Sequence, residues 1–465
     1  MGAFRLARIK RSPIPGAADN VIDLADQAMF LGERATGATG LLQCAWDYHH
    51  TIDVDGLRMF HHHLQQGRLR RSIEPSPLPF GRHRWVSPQR FADIEIVAEA
   101  RPRAEFDAWL VEQAHLRLDA EHGPPWRLAV LPFAEGGAGV SLVLSHCLAD
   151  GLGLCEALAD AAAGRDDAVR WPEARSRRRT RVLRADLRQT VRDLPASGRA
   201  VGAVARMAWR ERGSASPSPG RFVVRDEPIA MPMTTVFLDG DEWDARAHAL
   251  GGTSNALFAA VAARLAQRAG RVAADGSLVL AMPVNERTPG DTRANAVTNA
   301  DITVPRVPTT TDLRDIRATI KEALLRHNEI PNERWALMPL VPFLPKRLVK
   351  RLVGVAAGTP STVVASNLGA IDPDVTRADG TPADSFAMMS LFPGVTTSMM
   401  HSTGGRLALA SGRVYGRMFI SVLAYQPDRF NSNGVLRQDL LGTLREFALT
   451  PTCGWPRPGP LDEAA

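Results

Sequence analysis

The sequence predicts an α/β fold of mixed α+β type, and three observations support this fold class. Residues 53–66 and 255–269 carry apolar side chains at helical spacing, and Thr253 and Ser254 before the second segment are typical helix-capping residues. Both halves also contain short apolar or alternating segments that are typical of strands, at residues 128–132, 140–144, 278–284 and 301–304. No repeat of about 20 to 50 residues is visible in the sequence, which argues against a solenoid.

Composition narrows the class of protein further. The chain has 465 residues, of which 45% are hydrophobic and 23% are charged, and this balance excludes a disordered protein, a collagen and a disulfide scaffold. Its four cysteines include no CxxC pair, so we expect a reducing compartment and no zinc site. The sequence shows no secretory signal and no run of 18 apolar residues, so we expect a cytoplasmic protein, or one bound peripherally at the inner membrane.

A run of turn-forming and flexible residues at 213–220 predicts a linker between two domains. We therefore expect an N-terminal subdomain over residues 1–212 and a C-terminal subdomain over residues 221–450. Residues 451–465 are rich in Pro and Gly and predict a flexible tail. The N-terminal subdomain ends in an arginine-rich segment, residues 165–212, which holds fourteen arginines against six acidic residues.

The arginine-rich segment has several open interpretations. A solvated helical face is the usual explanation of such a run, and attraction to an anionic membrane or to a phosphate-bearing ligand is the alternative. We expect no nucleic-acid partner, because neither a recognised binding motif nor interleaved aromatic residues accompany the charge. A second basic and amphipathic pattern at residues 346–353 predicts either a surface helix or a contact with a membrane or a phosphorylated carrier protein.

The most informative segment is residues 140–154, where a strand pattern stops at His146 and a helical pattern begins after Asp150 and Gly151. A side chain at a strand end is fixed by the strand and is reachable from the following loop. A neutral imidazole can take a proton from a hydroxyl or an amine and return it to a leaving group. His146 is therefore a candidate general base for acyl transfer, with Gly151 allowing a tight turn and Asp150 shaping the loop.

Other nucleophiles and metal ligands are disfavoured by geometry. Ser145 and Cys147 adjoin His146, so on a strand their side chains point to the opposite face, and no Gly-x-Ser-x-Gly elbow is present. The histidine run at residues 61–63 cannot converge on one ion, because neighbours on a helix point about 100° apart. We therefore expect no metal and no covalent acyl-enzyme.

The pattern His-x-x-x-Asp-Gly at residues 146–151 resembles the signature of a superfamily of acyltransferases. That superfamily includes chloramphenicol acetyltransferase, the condensation domains of peptide synthetases and the bacterial wax ester synthase/diacylglycerol acyltransferase family, which the chain resembles most. Ser145 stands where that family has the first of two histidines, and Ala256 stands where it has an aspartate. Further segments resemble the family in its order along the chain, namely residues 24–31, 69–70, 85–86, 118–126, 253–255, 282–287, 295 and 366–367.

The resemblance implies two subdomains with the fold of chloramphenicol acetyltransferase, each a mixed sheet with flanking helices, and an active site in a tunnel between them. It implies that His146 is the base and that Asp150 is structural, paired with Arg70; a surface cation is the alternative for Arg70. It also implies that the Gly151 N–H and Asn367 donate to the oxyanion. Substrate contacts are expected at Ser145, Asn255, Asn367 and Trp126.

The resemblance further implies an O-acyltransferase that moves an acyl group directly from acyl-CoA or a carrier-bound thioester to an acceptor hydroxyl, without a cofactor. Two alternatives stay open. One is a free-standing condensation-type enzyme that forms an amide or ester in secondary metabolism, because the same imidazole serves an amine. The other is a catalytically silent binding scaffold, which the replacements at Ser145 and Ala256 allow. The expected partners are an acyl thioester and an alcohol or amine, with contact to a carrier protein or a membrane surface.

Overall fold

The structure is a computed structural model, and it describes residues 20–165, 169–211, 226–288, 291–305, 309–329, 335–350 and 362–455. Helices and strands are mixed in both halves, as the sequence predicts. The helices are α1 (Leu24–Thr36), α2 (Val54–Gln66), α3 (Phe106–His115), α4 (Gly151–Ala162), α5 (Arg179–Glu211), α6 (Gly240–Ala249), α7 (Ser254–Arg268), α8 (Arg314–Glu329), α9 (Thr397–Thr403) and α10 (Asn433–Glu446).

The strands confirm the four segments predicted from apolar patterning, which become β5, β6, β8 and β9. The strands are β1 (Leu41–Tyr48), β2 (Ser72–Glu74), β3 (Arg84–Val86), β4 (Glu95–Ile96), β5 (Trp126–Pro132), β6 (Ala138–Ser145), β7 (Met233–Asp239), β8 (Leu278–Asn285), β9 (Val297–Val304), β10 (Thr362–Ala370), β11 (Ser385–Leu391), β12 (Arg406–Val414), β13 (Arg417–Tyr425) and β14 (Thr452–Cys453). Strands β2 and β3 form a separate antiparallel pair.

The first sheet has the strand order β11-β1-β6-β5-β4. All residues of β1 and of β6 are buried, which explains why the β6 sequence is a nearly continuous apolar run. Strand β11 comes from the second half of the chain and pairs antiparallel with β1, from Leu41 opposite Leu391 to Asp47 opposite Ser385. The first sheet is therefore completed by a strand that lies far away in the sequence.

The second sheet has the strand order β14-β7-β13-β12-β10-β8-β9 and is mixed, because β10 runs parallel to both β8 and β12. Helix α7 packs on one face of this sheet. Its side chains from Ala256 to Ala263 are fully buried, and the Thr253 side chain accepts from the Ala256 N–H and caps the helix. The capped helix predicted from the spacing at residues 255–269 is confirmed.

The opposite face of the second sheet packs against the first half of the chain. Phe419 and Leu423 of β13 belong to the same hydrophobic core as β1 and β6. The Trp46 indole on β1 donates to the carbonyl oxygen of Val375 at 2.7 Å. The first sheet and the facing side of the second sheet therefore share one hydrophobic core.

The predicted linker at residues 213–220 lies outside the described residues, so the division into residues 1–212 and 221–450 stays a prediction. The prediction of a loose tail is wrong for its first residues. Strand β14 pairs with β7, and the ring of Trp455 packs at 4.9 Å from that of Phe106. Trp455 thus completes the core. The Pro and Gly content of the segment predicted a flexible tail and gave no indication of this packing.

Candidate active site

His146 follows the last residue of β6 and is held on both sides by hydrogen bonds of its backbone. Its N–H donates to the carbonyl oxygen of Gly40 at 2.8 Å, and its carbonyl oxygen accepts from the Nδ2 of Asn295 at 3.0 Å. These contacts join the end of β6 to the residues before β1 and β9, which fixes the His146 backbone at the junction of the two sheets. His146 is half-buried as a residue, and its Nδ1 is buried and makes no hydrogen bond with the described residues.

The surroundings of His146 keep its imidazole neutral near pH 7. Burial lowers the pKa of His146 from its ordinary value of 6.5, and the positive charge of Arg406 lowers it further. Asp150 and Asn295 oppose the shift, but the net direction is downward. The neutral imidazole is the form that accepts a proton, so this arrangement can supply a general base.

Asp150 joins helix α4 to the segment before β9. Its Oδ1 accepts from the N–H of Gly153 at 2.6 Å and caps the helix. Its Oδ2 accepts from the Nη2 of Arg287 at 2.7 Å and from the N–H of Ala296 at 2.7 Å. The Asp150 N–H donates to the carbonyl oxygen of Ala294 at 3.0 Å. All of these contacts fix the loop that follows the candidate base.

Arg287, and not Arg70, is the cation that pairs with Asp150. The side chains of Arg287 and Asp150 are only 5% and 3% exposed, and Arg287 also donates to the carbonyl oxygen of Ala294 at 3.1 Å. Arg70 donates instead to Gln66 at 2.9 Å, in an exposed contact within its own segment. The predicted pairing is wrong because Arg287, which follows β8, reaches Asp150 from the other half of the chain. Arg287 lies within residues 282–287, which resemble the acyltransferase family in sequence, but this resemblance alone did not indicate a role for it.

The next residue after the predicted partner, Arg71, does enter the site. Arg71 is 5% exposed, donates to the carbonyl oxygen of Thr292 at 3.1 Å and lies over the Trp85 ring at 4.9 Å. Burial lowers the pKa of Arg71 to about 10, while the charges of Asp26 and Asp150 raise it. The early Leu-Arg segment thus contributes a buried cation near both carboxylates, one position later than predicted.

Sequence reasoning missed Asp26, a buried carboxylate on α1. Its oxygens accept from the N–H groups of Ala294 and Asn295 at 3.1 and 2.9 Å and from the Nδ2 of Asn295 at 2.9 Å. Burial raises the pKa of Asp26 to about 6, and the Asn295 hydrogen bond opposes that rise. Because the same Asn295 amide reaches the carbonyl oxygen of His146, Asp26 positions the candidate base through one intermediate residue. Asp26 lies within residues 24–31, which resemble the acyltransferase family in sequence, so that resemblance could have pointed to it.

Gly151 lies where α4 packs against β10. A Cβ atom at this position would lie 2.8 Å from the Cδ2 of Leu368, which is closer than carbon atoms pack without a shift. Glycine therefore allows the first turn of α4 to approach the second sheet closely. The role of the Gly151 N–H as a donor to an oxyanion stays a prediction.

Several solved protein structures resemble this architecture. No family model and no curated protein sequence matches the chain. Polyketide synthase associated protein 5 from Mycobacterium tuberculosis superposes with a TM-score of 0.53 at 16% identity, over 92% of this chain and 98% of that protein. The first condensation domain of the calcium-dependent antibiotic synthetase, in complex with substrate analogue 2a, superposes with a TM-score of 0.57 at 15% identity. The superposition covers 93% of this chain and 96% of that domain. This chain has the condensation-domain fold. The nonribosomal peptide synthetase FmoA3 superposes with a TM-score of 0.55 at 19% identity, over 94% of this chain and 43% of the FmoA3 chain.

The fold comparison confirms the predicted class of two mixed α/β subdomains. In this condensation-domain fold, Asn255 and Asn367 lie together on the α7 side of β10. The Nδ2 of Asn367 donates to the Oδ1 of Asn255 at 3.3 Å, and the Oδ1 of Asn367 accepts from the Ser411 hydroxyl at 3.2 Å. The neighbouring Leu368 points to the opposite face, toward Gly151. The predicted oxyanion role of Asn367 and the substrate contacts of both asparagines stay predictions.

The two asparagines border a cavity of about 140 Å³ between α7, α8 and the second sheet. Apart from these two amide side chains, the cavity is lined by apolar residues. They are Met282, Pro283, Val284, Ala300, Ile302, Ile320, Leu324 and Ala365.

Two predicted substrate contacts lie inside the protein. Trp126 is fully buried, its indole donates to the carbonyl oxygen of Leu69 at 3.3 Å, and its ring packs edge-on against His61 at 5.2 Å. The prediction for Trp126 is wrong, because this large ring fills the core around the first sheet. Ser145 is 2% exposed, and its hydroxyl accepts from the N–H of Cys147 at 3.3 Å; its contact with substrate stays a prediction.

The arginine-rich segment forms helix α5 over much of its length. Within this segment, Asp186 pairs with the buried Arg84 at 2.8 Å, and Arg177 pairs with Glu74 at 3.2 Å. Helix α5 also exposes a row of apolar side chains, namely Leu183, Leu187, Val191, Leu194 and Val201. In the part of the chain that the structure describes, none of the helices is both long and apolar enough to span a membrane. The alternative interpretations of this segment stay open.

Proposed function

We propose that this protein is an acyltransferase in which His146 is the general base. The observation that carries the proposal is the hydrogen-bonded unit around this residue. Gly40 and Asn295 hold its backbone, and the pair of Asp150 and Arg287 holds the loop that follows. A fold by itself does not decide a function, so the proposal depends on this site and on the neutral state of its imidazole.

The proposed reaction is a direct transfer. His146 takes the proton of the acceptor hydroxyl while the hydroxyl oxygen bonds to the carbonyl carbon of the thioester, giving a tetrahedral intermediate. When the C–S bond breaks, the imidazolium returns the proton to the departing thiolate, so the products are an ester and a free thiol. An amine acceptor passes through the same steps to an amide. The N–H groups at the start of α4, including that of Gly151, are the proposed donors to the oxyanion.

The proposed donor is an acyl-CoA or a carrier-bound acyl thioester, and the proposed acceptor is a hydroxyl compound. The sequence resemblance to the wax ester synthase/diacylglycerol acyltransferase family makes a long-chain acyl-CoA and a primary alcohol the first pair to assay. The resemblance to condensation domains makes a carrier-bound thioester and an amine the second pair. In that second case a carrier protein is the proposed partner.

The release of free thiol tests the proposal. Acetyl-, hexanoyl- and palmitoyl-CoA and an acyl-pantetheine are each assayed with a primary alcohol and a primary amine, and products are identified by mass spectrometry. We expect His146→Ala to lower turnover by about 100-fold or more. His62→Ala, which changes an exposed histidine on α2, serves as the matched control and should leave turnover unchanged.

Two outcomes would contradict the proposal. Equal turnover by His146→Ala and by the unmodified protein would remove His146 from the chemistry. Absence of thiol release with every donor and acceptor would favour the binding scaffold instead.

A further inference from the structure

An arginine from the second sheet lies over an aromatic ring that borders the same residue as the candidate base. Arg406, the first residue of β12, places its guanidinium carbon 3.7 Å from the centroid of the Phe392 ring. Phe392 and His146 flank the same residue, Gly40: a Cβ atom built there would lie 3.7 Å from the Cε1 of Phe392 and 3.5 Å from the Cβ of His146. The charge of Arg406 also lowers the pKa of His146, so the guanidinium acts on the base electrostatically.

Arg406 lies on the face of the second sheet that packs toward the first half. Because side chains alternate along β12, Arg406, Ala408 and Val414 share one face. Val414 and Leu423 belong to the core around the first sheet, whereas Leu407 belongs to the core around α7. Arg406 is half-buried as a residue, so part of it is open to a solute that reaches the junction of the two halves.

Among the described residues, Arg406 has no acidic partner. Its Nε is buried and makes no hydrogen bond with them. Burial lowers the pKa of Arg406 to about 10, and the like charge of Arg271 is the one further influence on it from the described part of the chain. Arg287, by contrast, is paired with Asp150 at 2.7 Å. A half-buried guanidinium without an anionic partner is incompletely solvated, and one aromatic contact does not fully compensate for this, so this position favours a ligand that brings an anion.

We infer that Arg406 binds a carboxylate of the substrate next to the bond that forms, an inference that rests on the proposed acyltransferase function. A planar guanidinium receives a carboxylate through two parallel N–H···O bonds, and its contact with the Phe392 ring limits where the Arg406 guanidinium lies. The phosphates of CoA lie at the far end of the pantetheine arm. An anion beside His146 therefore belongs to the acceptor, as in a hydroxy acid, or to the acyl group, as in a dicarboxylic acyl thioester.

Binding is measured in protein that carries His146→Ala, so that no turnover occurs. The acceptor probes are 3-hydroxyhexanoate and its methyl ester, and the acyl probes are succinyl-CoA and butyryl-CoA; each is titrated by calorimetry. We expect the carboxylate member of one pair to bind more tightly than its neutral counterpart. Arg406→Gln should weaken binding of that carboxylate by roughly 10- to 100-fold and leave the neutral probe unchanged. Arg445→Gln, an exposed arginine on α10, is the matched control and should alter neither.

The two pairs of probes distinguish the sources of the carboxylate. A preference for 3-hydroxyhexanoate assigns it to the acceptor, and a preference for succinyl-CoA assigns it to the acyl group. Arg406→Lys keeps the charge without the planar fork, so it should keep only part of the preference; this variant serves if Arg406→Gln does not fold.

Three results would overturn the inference. They are a carboxylate preference in neither pair, a preference that survives undiminished in the Arg406 variants, and an equal loss for charged and neutral probes. Failure of the proposed function has a different signature. If His146→Ala leaves turnover unchanged while carboxylate binding still depends on Arg406, the anion site stands and the role of His146 as base is wrong.

Discussion

Replacing Arg287 by Met tests the buried ion pair that holds the loop after His146. Arg287 and Asp150 are 5% and 3% exposed, so Arg287→Met leaves a carboxylate unpaired in the interior. Removal of one partner of such a pair costs about 3–5 kcal/mol. Asp150 keeps the N–H donors of Gly153 and Ala296, so we expect the lower end of this range, a loss of about 3 kcal/mol in the free energy of unfolding.

The measurement is urea-induced unfolding followed by tryptophan fluorescence, for which the chain supplies nine tryptophans. The matched control is Arg70→Met, which removes only an exposed contact to Gln66 and should lie within about 0.5 kcal/mol of the unmodified protein. A loss below about 1 kcal/mol for Arg287→Met, or equal losses for the two variants, would refute the reasoning that Arg287 compensates the buried carboxylate.

A double substitution separates the unpaired charge from the lost packing. Asp150→Asn removes the charge that Arg287→Met leaves without a partner, so the double variant should regain part of the stability lost in Arg287→Met. If the two losses simply add, the carboxylate and the guanidinium are not coupled, and the hydrogen bonds of Asp150 to backbone N–H groups carry its whole effect.

Three further predictions concern pH and packing. Burial lowers the pKa of His146 below 6.5, so the rate should fall only below that pH, and a rate–pH profile with its acid limb above it would contradict the assignment of the base. Burial raises the pKa of Glu33 from 4.5 to about 7, so its ionisation destabilises the fold as pH rises through that interval. Glu33→Gln can still accept from the Gly40 N–H, so its melting temperature should exceed that of the unmodified protein at pH 8 and equal it at pH 4. Equal melting temperatures at pH 8 would show that ionisation of Glu33 does not destabilise the fold. Gly151→Ala should lower the free energy of unfolding by about 1–2 kcal/mol. If contact with Leu368 is the cause, the loss due to Gly151→Ala should be smaller when it is measured against a protein that already carries Leu368→Ala.

Local patterning explains how much of the fold could be predicted. Helix α7 has an apolar period and a capping threonine within sixteen adjacent residues, and β6 is an apolar run that ends at a polar residue, so both elements follow from their own sequence. The position of His146 at the end of β6 follows in the same way. The tail and the placement of β11 could not be predicted, because Trp455 and β11 gain their partners from strands and helices far away in the chain.

The partners of Asp150 show where sequence reasoning stops. Arg70, Arg71 and Arg287 are equivalent as cations in the sequence, and only the packing of the segment after β8 over α4 selects the third. The same packing brings Asp26 and Asp150, both from the first half of the chain, to the backbone N–H groups of residues 294–296 from the second half. Because Asn295 in that segment also holds the carbonyl oxygen of His146, the candidate base reaches its final position only when the two halves have docked. The site is thus a property of the interface between them, and no single segment of the sequence contains it.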